Sequence, residues 1–91
     1  MRSYSAAYLA GDGQGAWELL SERCRERLSV DTMTALAGEA ARRYDGPEMT
    51  SLSVEVSGDL GRATYSFTVG EINQDREPWA REHGAWHNDD C

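Results

Sequence analysis

Ninety-one residues and 10.1 kDa make one small domain, 1–91, with room for a single hydrophobic core and no length left for a second. Sixteen acidic side chains against nine arginines and no lysine leave a formal net charge of −7, which repels a phosphate backbone and argues against a nucleic-acid partner. Hydrophobic residues at 40%, charged residues at 27% and only two prolines describe a folded domain rather than a disordered tail.

The hydrophobic period changes once, near Pro47, from helical spacing to strict alternation, so helices come first and strands second. Ser3 to Ala10 places Tyr4, Ala7 and Tyr8 on one face and stops at Gly11. Asp12 is positioned to cap a second helix, closed by Leu28, whose stripe is Ala16, Trp17, Leu20 and Cys24 while Glu18, Glu22 and Arg25 face water. Ser29 or Asp31 caps a third, in which Val30, Met33, Leu36, Ala37, Ala40, Ala41 and Tyr44 recur at threes and fours up to Asp45-Gly46-Pro47. The arginines at 23, 25, 27, 42 and 43 are interleaved with Glu22, Glu26 and Glu39, which reads as a solvated helix surface.

From Thr50 the pattern alternates, with Leu52, Val54 and Val56 on one side and Ser51, Ser53, Glu55 and Ser57 on the other, the signature of a half-buried strand. The Gly58-Asp59-Leu60-Gly61 turn predicts a register pairing Val56 with Ala63, Val54 with Tyr65 and Leu52 with Phe67, so that the apolar residues share one face. Gly70 to Glu77 is polar and reads as a connecting loop or bulged strand. A second hairpin runs from Trp79 to Glu82, through a His83-Gly84 turn, to Ala85–Asp89, with Trp79 and Trp86 on a common face. The expected fold class is α+β: N-terminal helices covering the apolar face of an antiparallel sheet.

Chemistry-bearing residues are few. Cys24 and Cys91 form no CxxC pair, which disposes of zinc-ribbon and thioredoxin-like readings and leaves either two free thiols or one disulfide. A bridge would close a 67-residue loop and, by the loop-entropy model, contribute ~4 kcal/mol. With no signal-segment pattern and no apolar run near the ~20 residues of a membrane helix, the chain reads as cytoplasmic as written, without a membrane partner; bridged cysteines would instead point to an exported chain whose leader has been removed. His83, His87 and Cys91 have helical ligand spacing, but on a strand four residues span roughly 13 Å, too far for one zinc ion, so no metal and no cofactor is expected. Gly11, Gly13 and Gly15 imitate a phosphate loop without the strand that should precede it, and read as a helix boundary. Every aromatic residue falls on a predicted apolar face; Tyr8, Trp17, Tyr65, Phe67, Trp79 and Trp86 are accordingly candidates for an apolar pocket with polar ends as well as for core.

The order of these features carries a resemblance. A tyrosine-bearing helix, then Tyr8-Leu9-Ala10-Gly11-Asp12 leading into Trp17-Glu18-Leu19-Leu20, a third helix, the 50–69 hairpin and a Trp-x-x-Glu-x-Gly-x-Trp ending at Trp79–Trp86 are similar to the nuclear-transport-factor-2-like (SnoaL-like, cystatin-like) superfamily. Within it the chain resembles the short actinobacterial members of unknown function. The resemblance implies a curved antiparallel sheet wrapped around helices as a cone, a homodimer formed through the sheet, and a pocket for a small apolar ligand at the open end. Of the isomerase residues in that superfamily, only the tyrosine has a counterpart, at Tyr4. The general-base aspartate falls at Arg27, Leu28 and Ser29, and the second acid falls at Arg76, beside Asp75.

The expected function is therefore a small cone-fold domain, non-catalytic, that binds a small apolar ligand or mediates dimerisation. The alternative is an isomerase-, cyclase- or hydrolase-like enzyme for a hydrophobic metabolite, with Tyr4 or Tyr8 as hydrogen-bond donor and Asp75 or Glu71 as base. A single buried carboxylate facing the tyrosines would favour the alternative.

Overall fold

A computed structural model describes every residue from Met1 to Cys91. Four helices, α1 (Arg2–Leu9), α2 (Gly13–Glu18), α3 (Glu22–Arg27) and α4 (Val30–Arg43), precede four strands, β1 (Met49–Ser57), β2 (Leu60–Phe67), β3 (Gln74–Glu82) and β4 (Ala85–Asn88), with a 3-10 turn at Gly70–Ile72. The strands form one antiparallel meander in the order β1-β2-β3-β4, so the α+β class and the helices-then-strands order hold.

The caps do what their side chains allow. Asp12 accepts a hydrogen bond from the Gly15 amide at 3.0 Å to start α2, and Ser29 Oγ accepts from the Thr32 amide at 3.0 Å to start α4. The single helix expected between Asp12 and Leu28 is instead two. Between them the backbone turns outward to pair with the chain's end: the Asn88 amide donates to Leu19 O at 2.8 Å and the Ser21 amide to Asn88 O at 2.7 Å, making a parallel bridge between Leu20 and Asn88. Those tertiary bonds replace intrahelical ones, and Ser21 restarts the helix by accepting from the Cys24 amide at 3.3 Å.

In the first hairpin the apolar faces match as expected, but the register differs from the expected one by two residues: Val56 pairs with Gly61, Val54 with Ala63 and Leu52 with Tyr65. The cause is a two-residue turn, Gly58-Asp59, with positive φ only at its first position, the type II′ pattern that matches strand twist. Because the change is even, every side chain keeps its face. The helices do not reach the whole of β1, however, and Val54 and Val56 remain 39% and 56% exposed. The second hairpin follows expectation, with Glu82 opposite Ala85 around His83 (φ 51°) and Gly84 (φ 79°), a type I′ pattern.

β3 begins five residues before Trp79. A register irregularity between Ala63 and Tyr65 and a left-handed backbone at Arg76 (φ 56°) mark a bulge, after which Glu77 faces Ala63 and Trp79 faces Gly61. Two buried clusters result, Ala16, Leu20, Cys24 and Met33 among the helices and Ala63, Tyr65, Phe67 and Trp79 on the sheet, with Tyr4 packed against both.

Candidate functional site

Between the two clusters the helices and sheet do not close completely. A cavity of about 470 Å³ is left, with α1 supplying Tyr4, Ser5 and Tyr8, α4 supplying Met33 and Ala40, and the sheet supplying Tyr65, Phe67 and Glu77. A small side chain on α4 leaves part of this space, because Ala40 faces the cavity where a larger residue would fill it.

Glu77 is the chemically distinctive member. It is 6% exposed, and its Oε1 accepts hydrogen bonds from the Tyr65 hydroxyl at 2.6 Å and from Trp79 Nε1 at 2.9 Å. Both donors are neutral, and no arginine lies within ion-pair distance of it. Burial therefore pushes its carboxyl above the usual range; the bonds from Tyr65 and Trp79 oppose this, the Asp90 charge adds to it and the nearby Asn88 amide opposes it. Desolvation and the Glu77 charge likewise raise the Tyr4 hydroxyl, and desolvation with the Glu77 hydrogen bond raises that of Tyr65, so both tyrosines stay protonated donors. Tyr8 is raised mainly by burial and lies 6.1 Å from Tyr4, ring to ring.

Asp90 and Asn88 reach this site because the C-terminal segment is tied to the helices. Ser21 Oγ donates to Asp89 Oδ1 at 2.6 Å, Arg23 Nε pairs with the same oxygen at 3.1 Å, and Cys24 and Cys91 are joined in a disulfide. At the cavity's mouth the Tyr44 hydroxyl donates to Glu71 at 3.3 Å, and Glu39 is paired with Arg42 at 2.8 Å.

The sequence candidates separate accordingly. Tyr4, Tyr8, Tyr65 and Phe67 meet at the cavity. Trp17 does not: its Nε1 donates to Leu28 O at 2.6 Å and holds α2 to the end of α3. Trp79 lies behind Glu77, edge-on to Tyr4 at 5.9 Å, as a support rather than a wall. Trp86 packs over Gly61 with the Arg81 guanidinium 5.1 Å above its ring. Glu71 stands at the mouth, whereas Asp75 is exposed outside the cavity. In a regular strand Asp75 and Glu77 would share a face, but the left-handed Arg76 between them breaks the alternation. His83 occupies the hairpin turn and His87 bonds Ala85 O, while Cys91 is committed to its disulfide; no group of three or more His, Cys, Asp or Glu side chains is placed to hold a metal ion.

Sequence reasoning overlooked Glu77, Asn88 and Asp90. The available signal for Glu77 was its alternation with Trp79, which extends the inward face of β3 two residues earlier; Pro78 between them and the polar run before them obscured it. The assembled site is a cavity lined by aromatic side chains and by a buried carboxylate, with further polar side chains around it, an arrangement able to bond a polar group beside apolar surface. No protein-family model, curated protein or solved structure was found to match the chain.

Proposed function

We propose that the chain is a small-molecule-binding domain whose ligand is mainly apolar, with one polar group directed at Glu77. The observation that carries the reading is Glu77 itself, a buried carboxylate that shares a cavity of about 470 Å³ with the aromatic side chains of Tyr4, Tyr8, Tyr65 and Phe67. The reading includes the nuclear-transport-factor-2-like cone as the architecture and a homodimer through the sheet, supported by an outer sheet face that no helix covers and on which Leu60 is exposed. The disulfide supports an oxidising compartment for the protein.

N-phenyl-1-naphthylamine, a neutral dye that brightens in apolar pockets, tests this. Fluorescence-detected sedimentation is expected to give saturable binding of one dye per chain on a particle of two chains. The signal should vanish in Ala40→Leu, which fills the cavity from α4. Dye binding unaffected by Ala40→Leu would remove the cavity from the proposal.

A second reading, an acid–base enzyme for a hydrophobic metabolite, is favoured by one observation: a carboxyl held above its usual range and bonded to Tyr65 is the arrangement a general acid or base requires. Glu77, in place of Asp75 or Glu71, is then the base. Conversion of a bound compound, lost in Glu77→Gln while binding persists, would establish it; a ligand recovered unchanged after long incubation would exclude it.

A further inference from the structure

A carboxylate buried beside neutral donors lacks the counter-charge that buried ions ordinarily have. Glu77 receives two close hydrogen bonds, both on Oε1, from the Tyr65 hydroxyl and the Trp79 indole, and its remaining polar neighbour, the Asn88 amide, is neutral as well. The charges around the cavity do not compensate it. Glu39, Glu71 and Asp90 are its other ionisable acids, and Arg43 is its only base; Glu39 is already paired with Arg42, outside the lining, and neither Glu71 nor Asp90 has an arginine within 4.0 Å. Tyr4, Tyr8, Tyr65 and Phe67 line the same cavity, and an aromatic ring that meets a cation with its face offers it the negative end of the ring quadrupole. A cavity lined by aromatic rings and an uncompensated carboxylate attracts positive charge and repels negative charge, and the chain's net charge of −7 works in the same direction at long range.

We propose that the ligand of this cavity is an organic cation, an apolar body carrying a protonated or quaternary amine that sits against the Glu77 carboxylate among the tyrosine rings. This rests on the cavity-binding reading above and specifies its polar group. The ammonium supplies the missing partner of Glu77, with Asp90 adding a second negative charge from the disulfide-tied C-terminal segment. Tyr4 and Tyr65 remain neutral and offer ring faces and hydroxyl oxygens.

Three probes of one size distinguish the possibilities: 2-(1-naphthyl)ethylamine, 2-(1-naphthyl)ethanol and 1-naphthylacetate, titrated into the intact oxidised protein and followed by isothermal calorimetry. The amine is expected to bind at least about tenfold more tightly than the alcohol, the scale of a desolvated cation–ring and ion-pair contact, with the carboxylate weakest. In Glu77→Gln, which retains an acceptor for Tyr65 and Trp79, the amine and alcohol should become equivalent. Asp90→Asn, at an exposed position that does not endanger folding, should narrow the preference several-fold. Equal binding of amine and alcohol to the wild-type chain overturns the cation and leaves the cavity reading intact. A preference that survives both substitutions overturns the role given to Glu77 and Asp90. Failure of all three probes, together with failure of the neutral dye, overturns the cavity reading itself.

Discussion

Glu77 lies in the centre of the sheet's covered face, where an apolar residue would be the ordinary occupant, and its ionisation opposes folding. In the unfolded chain its carboxyl titrates near the ordinary 4.5, and in the folded chain above that value because burial disfavours the charge. Between the two values the folded form holds a proton that the unfolded form has lost, so this group's contribution to stability falls as pH rises through the window and is fully lost above the folded value. Glu77→Gln keeps the oxygen that accepts from Tyr65 and Trp79 but cannot ionise. Urea denaturation from about pH 4 to about pH 8 should therefore show the variant gaining on the wild type as pH rises, then running parallel to it. A difference that stays flat, or shrinks with pH, would mean that the carboxylate is already compensated in the free protein and has no unmet charge to offer a cationic ligand.

At the scale of elements, the helical layer depends on how closely α2 approaches α4. Gly13 at the start of α2 is buried against Thr34, and a Cβ there would overlap the Thr34 backbone, which cannot move without shifting α4. Gly13→Ala should cost about 1–3 kcal/mol by overpacking. Gly38, within α4, has only the flexible end of Arg42 at 3.6 Å from the same added atom, so Gly38→Ala should stabilise by about 0.5–1 kcal/mol through helix propensity. Thermal and urea unfolding of the two variants should thus move in opposite directions. The sequence showed that Gly13 marks a helix boundary, since no strand precedes it, but a close approach between helices depends on residues twenty-one positions apart and leaves no periodic trace. The same contrast runs through the fold. Ser29, Asp12 and the His83-Gly84 turn were legible because capping and turn chemistry is local. The break at Leu19–Ser21 was not, because its cause is Asn88 at the far end of the chain. Nor was the carboxylate of the cavity: Tyr4, Tyr8, Tyr65 and Phe67 could be found by periodicity, whereas Glu77 required the bulge at Arg76 to be placed first.

Taken as a whole, the molecule is closed from its last residues backwards. Asn88 bonds the loop between α2 and α3, Asp89 bonds Ser21 and Arg23, and Cys91 is joined to Cys24, so the C-terminus is fastened to the helical layer at successive positions. These contacts differ in strength. The Arg23–Asp89 pair is partly exposed and contributes on the order of 0.5 kcal/mol. The disulfide closes a loop with a sequence separation of 67, and by the loop-entropy model it stabilises the fold by ~4 kcal/mol. Such a contribution is a large fraction of the total for a domain of 91 residues. Cys91→Ser is the clean way to remove it, because Cys91 is exposed whereas Cys24 is fully buried and its replacement would add a packing defect. The variant and the reduced wild type should lose stability by the same ~4 kcal/mol, with the midpoint of urea unfolding falling and the transition steepening as the unfolded chain expands. Because the backbone bonds of Asn88 persist without the bridge, the meander should remain folded wherever enough stability is left. A Cys91→Ser protein that unfolds at the wild-type midpoint would show that the denatured chain is already compact around the two cysteine segments, and that the hydrogen bonds at 88 and 89, not the covalent link, hold the C-terminus beneath the cavity.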